Sequence, residues 1–184
     1  MAAEGKIAAA EGADAPATTA AVGHWAVVAV ALEVVAIDQA TKFAARRFLT
    51  GGSVPVIPGF FNLSLVFNRG AAWGMMQGRR FFFIGLTIAV CALLLVYLIK
   101  RRKELPALPR IILALILAGA VGNLIDRIAL GYVRDMIYFV LIDFPIFNVA
   151  DSALTIGCVL LCINVLFMKD RTFPELTEKR GKSE

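Results

Sequence analysis

Phe81–Ile99 is a run of nineteen residues without one charged side chain. A helix needs about 20 apolar residues to cross a hydrocarbon layer roughly 30 Å thick. Three more stretches repeat that rhythm, Trp25–Ala45, Ile111–Leu130 and Phe147–Phe167. Backbone in hydrocarbon must satisfy its own hydrogen bonds, which favours helices. Hydrophobic residues make up 59% of the 184, charged residues only 18%, and mean hydropathy is +0.77. The expected fold class is an all-α polytopic membrane protein with four transmembrane helices.

Charge sets the expected orientation. The net charge of +5 does not indicate nucleic acid, because the basic residues flank the apolar blocks. Lys100, Arg101, Arg102 and Lys103 follow the second block, and Arg110 precedes the third. Cytoplasmic loops collect Lys and Arg, so this loop is expected inside, together with both termini. Arg46, Arg47, Arg69, Arg79 and Arg80 in the first outer loop run against that tally; Arg134 alone stands between the third and fourth blocks. Residues 1–22, rich in Ala with scattered acids, Gly and Pro, are expected to be a disordered cytoplasmic tail, and 169–184 a basic one. No basic segment followed by an apolar one precedes them, which argues against a cleaved leader.

Residues 46–80 are expected to form a loop outside the membrane. Val54–Phe67 alternates and is rich in β-branched and aromatic residues, so short strands are expected there, giving a small extracytoplasmic β-containing region. Phe67–Gly74 follows with small residues around Asn68, a pattern of tight backbone. Cys91, Cys158 and Cys162 fall inside apolar blocks and read as small buried hydrophobes. With His24 the single histidine, a histidine-based metal site or triad is not expected.

Polar chemistry concentrates in Gly119–Asp151, where Asp126, Asp135, Asp143 and Asp151 accompany Arg127, Arg134, Asn123 and Asn148. The N-x-x-D pattern occurs twice, at 123–126 and at 148–151; on a helix each would place an amide beside an acid. Asp38 and Lys42, four apart in the first block, read either as a self-neutralising ion pair at a helix end or as part of a polar cavity. Glu33 reads as a protonated or bundle-facing acid without an assigned role. With the third block running outward and the fourth returning, Asp126, Asp135, Asp151, Asp38, Lys42 and Asn68 gather near the outer face. Two acids sharing a site separate in pKa, so one could activate water while the other polarises a carbonyl. A proton or ion pathway, or plain packing, would use the same residues.

Five motifs narrow the choice. D-Q-A-T-K at 38–42, F-N-R-G-A-A-W-G at 67–74, G-N-L-I-D-R at 122–127, V-R-D at 133–135 and F-N-V-A-D-S-A at 147–153 occur in this order. Together they resemble the bacterial lipoprotein signal peptidases (signal peptidase II) from about Trp25 to Phe167. The resemblance implies an intramembrane aspartic endopeptidase that cuts diacylglyceryl-modified prolipoproteins just before the lipidated cysteine. It implies a multi-pass protein of the bacterial cytoplasmic (inner) membrane, with its site toward the extracytoplasmic face and reached laterally from the lipids. No cofactor or metal is implied, and inhibition by globomycin-type compounds is. Carried over by position, the catalytic pair is Asp135 and Asp151. Asp38, Lys42, Asn68, Asn123, Asp126, Arg127 and Asn148 would shape the site or hold substrate backbone, with Asp126 and Arg127 in a supporting network. Asp126 is the competing member of the dyad, and a chain break near Gly131 is required to bring it close to Asp135. Asp143 matches no motif and reads as a loop acid. Met136 stands where the family commonly has Phe, and the N-terminal tail is longer than usual.

Overall fold

A computed structural model describes residues 24–70 and 75–167. Both expected tails, and Ala71–Gly74 of the second motif, lie outside the described residues. Each apolar block forms a helix: α1 His24–Phe48, α2 Arg80–Lys100, α3 Ala107–Ala129 and α4 Val149–Phe167. Three of them, α2, α3 and α4, are long and apolar enough to cross a membrane. α1 is as long, at 25 residues, but carries Glu33, Asp38 and Lys42 in its body. Its last turn extends through Arg46 and Arg47, placing both on the helix and not in the loop expected from residue 46.

α3 is the hub, packing against α4, α1 and α2. Small residues make that possible. A Cβ on Gly119 would lie 2.4 Å from the Ala150 carbonyl oxygen, and one on Gly157 would lie 2.6 Å from Ile116 Cγ1. Van der Waals contact between backbones replaces side-chain interdigitation at this crossing. α2 has no fully buried residue; Phe83, Ile84, Leu94 and Leu98 are half-buried on the face that meets α3, and most of its other apolar side chains face outward. The same is true of Cys158 and Cys162, which are exposed on α4, contrary to the buried setting expected. Hydropathy alone does not separate a lipid-facing strip from a protein-facing one. Glu33 also lies on the exposed side of α1 and does not face the bundle.

A three-stranded antiparallel sheet caps one end, in the order β1 (Val54–Ile57), β2 (Phe61–Asn68), β3 (Val133–Phe139). β1 and β2 are the short strands expected from the alternating segment, and they pair as a hairpin that turns at Pro58-Gly59 with Gly59 at φ +75°. β3 was not anticipated. It pairs with β2 from Phe61↔Phe139 to Asn68↔Val133, with Val66 opposite Asp135. The chain enters β3 through Gly131, whose φ of +84° suits the residue after a helix end. Arg80 reaches across to hold that end, its Nε and Nη2 donating to the carbonyls of Arg127 and Ile128, both at 2.8 Å. The break required near Gly131 is therefore present, and it converts the chain from helix to strand.

Candidate active site

The two N-x-x-D motifs do different work. Asn148 stands just before α4, and its Oδ1 accepts from the Asp151 amide at 2.8 Å. Asp151 returns the bond, its Oδ2 accepting from the Asn148 amide at 3.2 Å. This is a capping box, which satisfies two orphan donors and fixes the Asp151 carboxylate in the first turn. Asn123–Asp126 lies inside α3 and caps nothing. Its members point to separate partners, Asn123 Nδ2 to Asp151 Oδ1 at 2.6 Å and Asp126 to Arg134.

Amides bind Asp135 as well. Asn148 Nδ2 donates to its Oδ1 at 2.6 Å, and Asn68 Nδ2, from the end of β2, to its Oδ2 at 3.0 Å. Asn148 thus touches both Asp135 and Asp151. Neither acid has a salt-bridge partner among the described residues. Asp135 is 2% exposed. Burial, followed by the negative charge of Asp151, raises its carboxyl pKa to about 7, while the bonds from Asn68 and Asn148 pull the other way.

Asp126 is neutralised instead. Arg134 forks onto it, Nη2 to Oδ1 at 2.7 Å and Nε to Oδ2 at 3.0 Å, and the Arg134 amide adds a third bond at 3.0 Å. The hydrogen bond to Asp126 also lifts the Arg134 guanidinium above its usual range. The ion partner of Asp126 is therefore Arg134, not its sequence neighbour Arg127. Arg127 turns away, donating from Nη2 to the Gly70 carbonyl at 3.3 Å and lying 5.2 Å over the Phe83 ring.

Asp38 and Lys42 form an ion pair at 2.8 Å, with both side chains fully buried. Each also crosses to another helix. Asp38 Oδ1 accepts from the Ala150 amide at 2.9 Å, and Lys42 Nζ donates to Asn123 Oδ1 at 3.0 Å. Gln39 completes the layer, donating to Asp38 Oδ2 and the Gly122 carbonyl and accepting from Arg134 Nη2 at 3.0 Å.

A cavity of about 710 Å³ opens beside Asp135 and Asp151. Asn68, Asn123 and Arg127 line its polar end, while Phe139, Phe144, Phe147 and Leu154 give it an apolar wall. Phe139 stacks on Phe147 at 5.9 Å, and the Phe147 carbonyl accepts the Ile137 amide, so this wall is fastened to β3.

The profile of the signal peptidase (SPase) II family matches residues 30–167. The chain belongs to that family. A lipoprotein signal peptidase of Caldanaerobacter subterraneus subsp. tengcongensis is 47% identical over 144 residues, 77% of this chain and 96% of that protein. One from Brevibacillus brevis is 43% identical over 137 residues, 74% of this chain and 91% of that protein. A bacterial membrane enzyme solved by the in meso method at 2.3 Å superposes with a TM-score of 0.71 at 38% identity, covering 80% of this chain and 90% of that one. Membership in a signal peptidase family makes the chain a protease, and its apolar helices make it a multi-pass membrane protein.

Asp38, Lys42, Asn68, Asn123, Asp126, Asn148, Asp135 and Asp151 form one hydrogen-bonded and ion-paired layer with Arg134 and Gln39, and Arg127 borders the cavity. Arg134 and Gln39 were not singled out as site residues from sequence. Gln39 lies in D-Q-A-T-K and Arg134 in V-R-D, and a charge at 134, next to a candidate acid, needs a partner. Asp143 is exposed and accepts from Tyr138 Oη at 2.6 Å, away from the layer.

Proposed function

We propose that this signal peptidase is an aspartic endopeptidase whose dyad is Asp135 and Asp151, acting on diacylglyceryl-modified prolipoproteins just before the lipidated cysteine. One observation carries the reading: of four buried or partly buried acids, Asp38 and Asp126 are ion-paired, while Asp135 and Asp151 meet amides and face the cavity. Lys42 and Arg134 in the layer and Arg127 at the cavity edge set three cations against these four carboxylates, so a single proton leaves the site neutral. That proton rests on Asp135. Asp151, in the first turn of α4, occupies a position that favours negative charge.

Asp151 takes a proton from a water that attacks the scissile carbonyl carbon, while Asp135 donates its proton to the carbonyl oxygen. Collapse of the tetrahedral species breaks the C–N bond as Asp151 passes its proton to the leaving nitrogen, while Asp135 takes a proton back from the gem-diol hydroxyl, which restores both acids. Asn68, Asn123 and Asn148 hold the two acids in place, and Arg127 faces the substrate backbone. The apolar wall suits the signal peptide and acyl chains of a lipid-modified substrate, and membrane lipids would line its approach. Globomycin-type inhibitors would occupy the same cavity.

The test is cleavage of a diacylglyceryl-modified prolipoprotein by purified protein, with the new N-terminus mapped. A cut before the lipidated cysteine is expected, and equal cutting of the unlipidated precursor would refute the substrate assignment. Turnover should fall as pH rises through about 7, where Asp135 loses its proton. Stability has the same sign: between the unfolded Asp value of about 3.9 and about 7 the folded state holds a proton that the unfolded state lacks, so stability declines as pH rises across that window.

We further propose four spans in the cytoplasmic membrane, with both termini inside and the dyad near the outer face. α1 supports this because two of the three charges in its body, Asp38 and Lys42, turn inward, leaving Glu33 as the one exposed charge there. With Cys91, Cys158 and Cys162 replaced by Ala, Ser53→Cys should react with an impermeant maleimide in intact spheroplasts, and Lys103→Cys only after lysis. The opposite labelling would invert the orientation.

A further inference from the structure

At the end of the bundle remote from the dyad, α3 begins in an unusual electrostatic setting. Pro106 precedes the helix, no side chain caps it, and its first turn contains no acid. A cation sits there instead. Arg110 is 9% exposed, and its Nε donates to the Pro106 carbonyl at 3.3 Å. Among the described residues no carboxylate pairs with it. Positive charge at a helix N-terminus opposes the macrodipole, and a buried unpaired cation adds a desolvation penalty. Both are relieved by an anion.

The shape beside Arg110 says which kind. A cavity of about 260 Å³ runs between α1, α2 and α3, lined by Val27, Val28, Leu95, Leu98, Ile99 and Leu117. Arg102 and Arg110 supply the charge at its lining. Sixteen residues separate Arg110 from Asp126, roughly 24 Å along the helix, so this groove is distinct from the active-site cavity. We propose that it seats an anionic phospholipid, its phosphate between Arg110, Arg102 and the α3 N-terminus, and one acyl chain along the apolar strip. Basic pockets between membrane helices favour such lipids.

Native mass spectrometry of the purified full chain tests this, with phosphatidylglycerol and phosphatidylcholine offered at equal concentration. Wild type should retain one phosphatidylglycerol with at least about fivefold preference, the effect of one arginine near an anionic surface. Arg110→Met should reduce retention to the phosphatidylcholine level. Arg102→Gln, at an exposed loop position, should lower it about fivefold while the fold is kept. Leu98→Trp, which fills the groove with both arginines intact, should lower it as well. Equal retention of the two lipids by wild type overturns the proposal, as does an unchanged Arg102→Gln. Lys103→Gln, outside the groove, should have no effect, and a loss equal to that of Arg102→Gln would reduce the preference to diffuse loop charge. Displacement of the lipid by excess inorganic phosphate would reassign the site to a simple anion.

Discussion

Asp135→Asn and Asp151→Asn should each cut turnover by at least about 10³-fold, the scale of losing a positioned general acid or base, with little change in thermal stability. Each substitution keeps a side chain of the same shape and gives up one of two accepted hydrogen bonds, about 1 kcal/mol, but neither removes an ion pair, since amides are the only hydrogen-bonding partners of these acids among the described residues. The double variant should be no slower than the singles by the product of their effects, because the two acids act as one unit. Asp126→Asn should behave in the opposite way. It strips the buried Arg134 of its partner, a change of about 3–5 kcal/mol in stability, yet the protein that stays folded should still cut. The measurement is prolipoprotein cleavage and thermal unfolding on the same preparations. Full turnover in Asp135→Asn with none in folded Asp126→Asn would move the dyad to Asp126.

Sequence carried the helices and the polar layer further than it carried the partnerships within the layer. Apolar runs near twenty residues announce helices regardless of tertiary context, and acids among them announce a site because hydrocarbon does not tolerate them idle. Strand β3 escaped notice because Val133–Phe139 is extended by pairing with β2, a contact more than sixty residues away in sequence, and has no turn signal of its own beyond Gly131. The ion partner of Asp126 was not legible for a related reason. Arg127 adjoins it in sequence, but adjacent helical residues point about 100° apart, whereas the turn at Gly131 brings Arg134 back over it. The repeated N-x-x-D looked like one device used twice. Helix position decides otherwise, as only the copy at a helix start can form a capping box.

Asp38 and Lys42 separate two physical readings by magnitude. An exposed i,i+4 pair at a helix end contributes about 0.3–0.5 kcal/mol, and its loss would scarcely register. Here both side chains are fully buried, and the pair ties α1 to α3 and α4 through Asn123 and Ala150. Lys42→Met leaves the Asp38 carboxylate buried without its cation, which should destabilise the protein by about 3–5 kcal/mol. Adding Asp38→Asn removes the stranded charge while keeping an oxygen for the Ala150 amide, so the double variant should recover much of that loss. Turnover of the double variant should still fall, because Lys42 also holds Asn123, and Asn123 holds Asp151. Thermal unfolding of wild type, the two single variants and the double closes the cycle. A coupling below about 0.5 kcal/mol would place Asp38–Lys42 with surface pairs and remove it from the framework that positions the dyad.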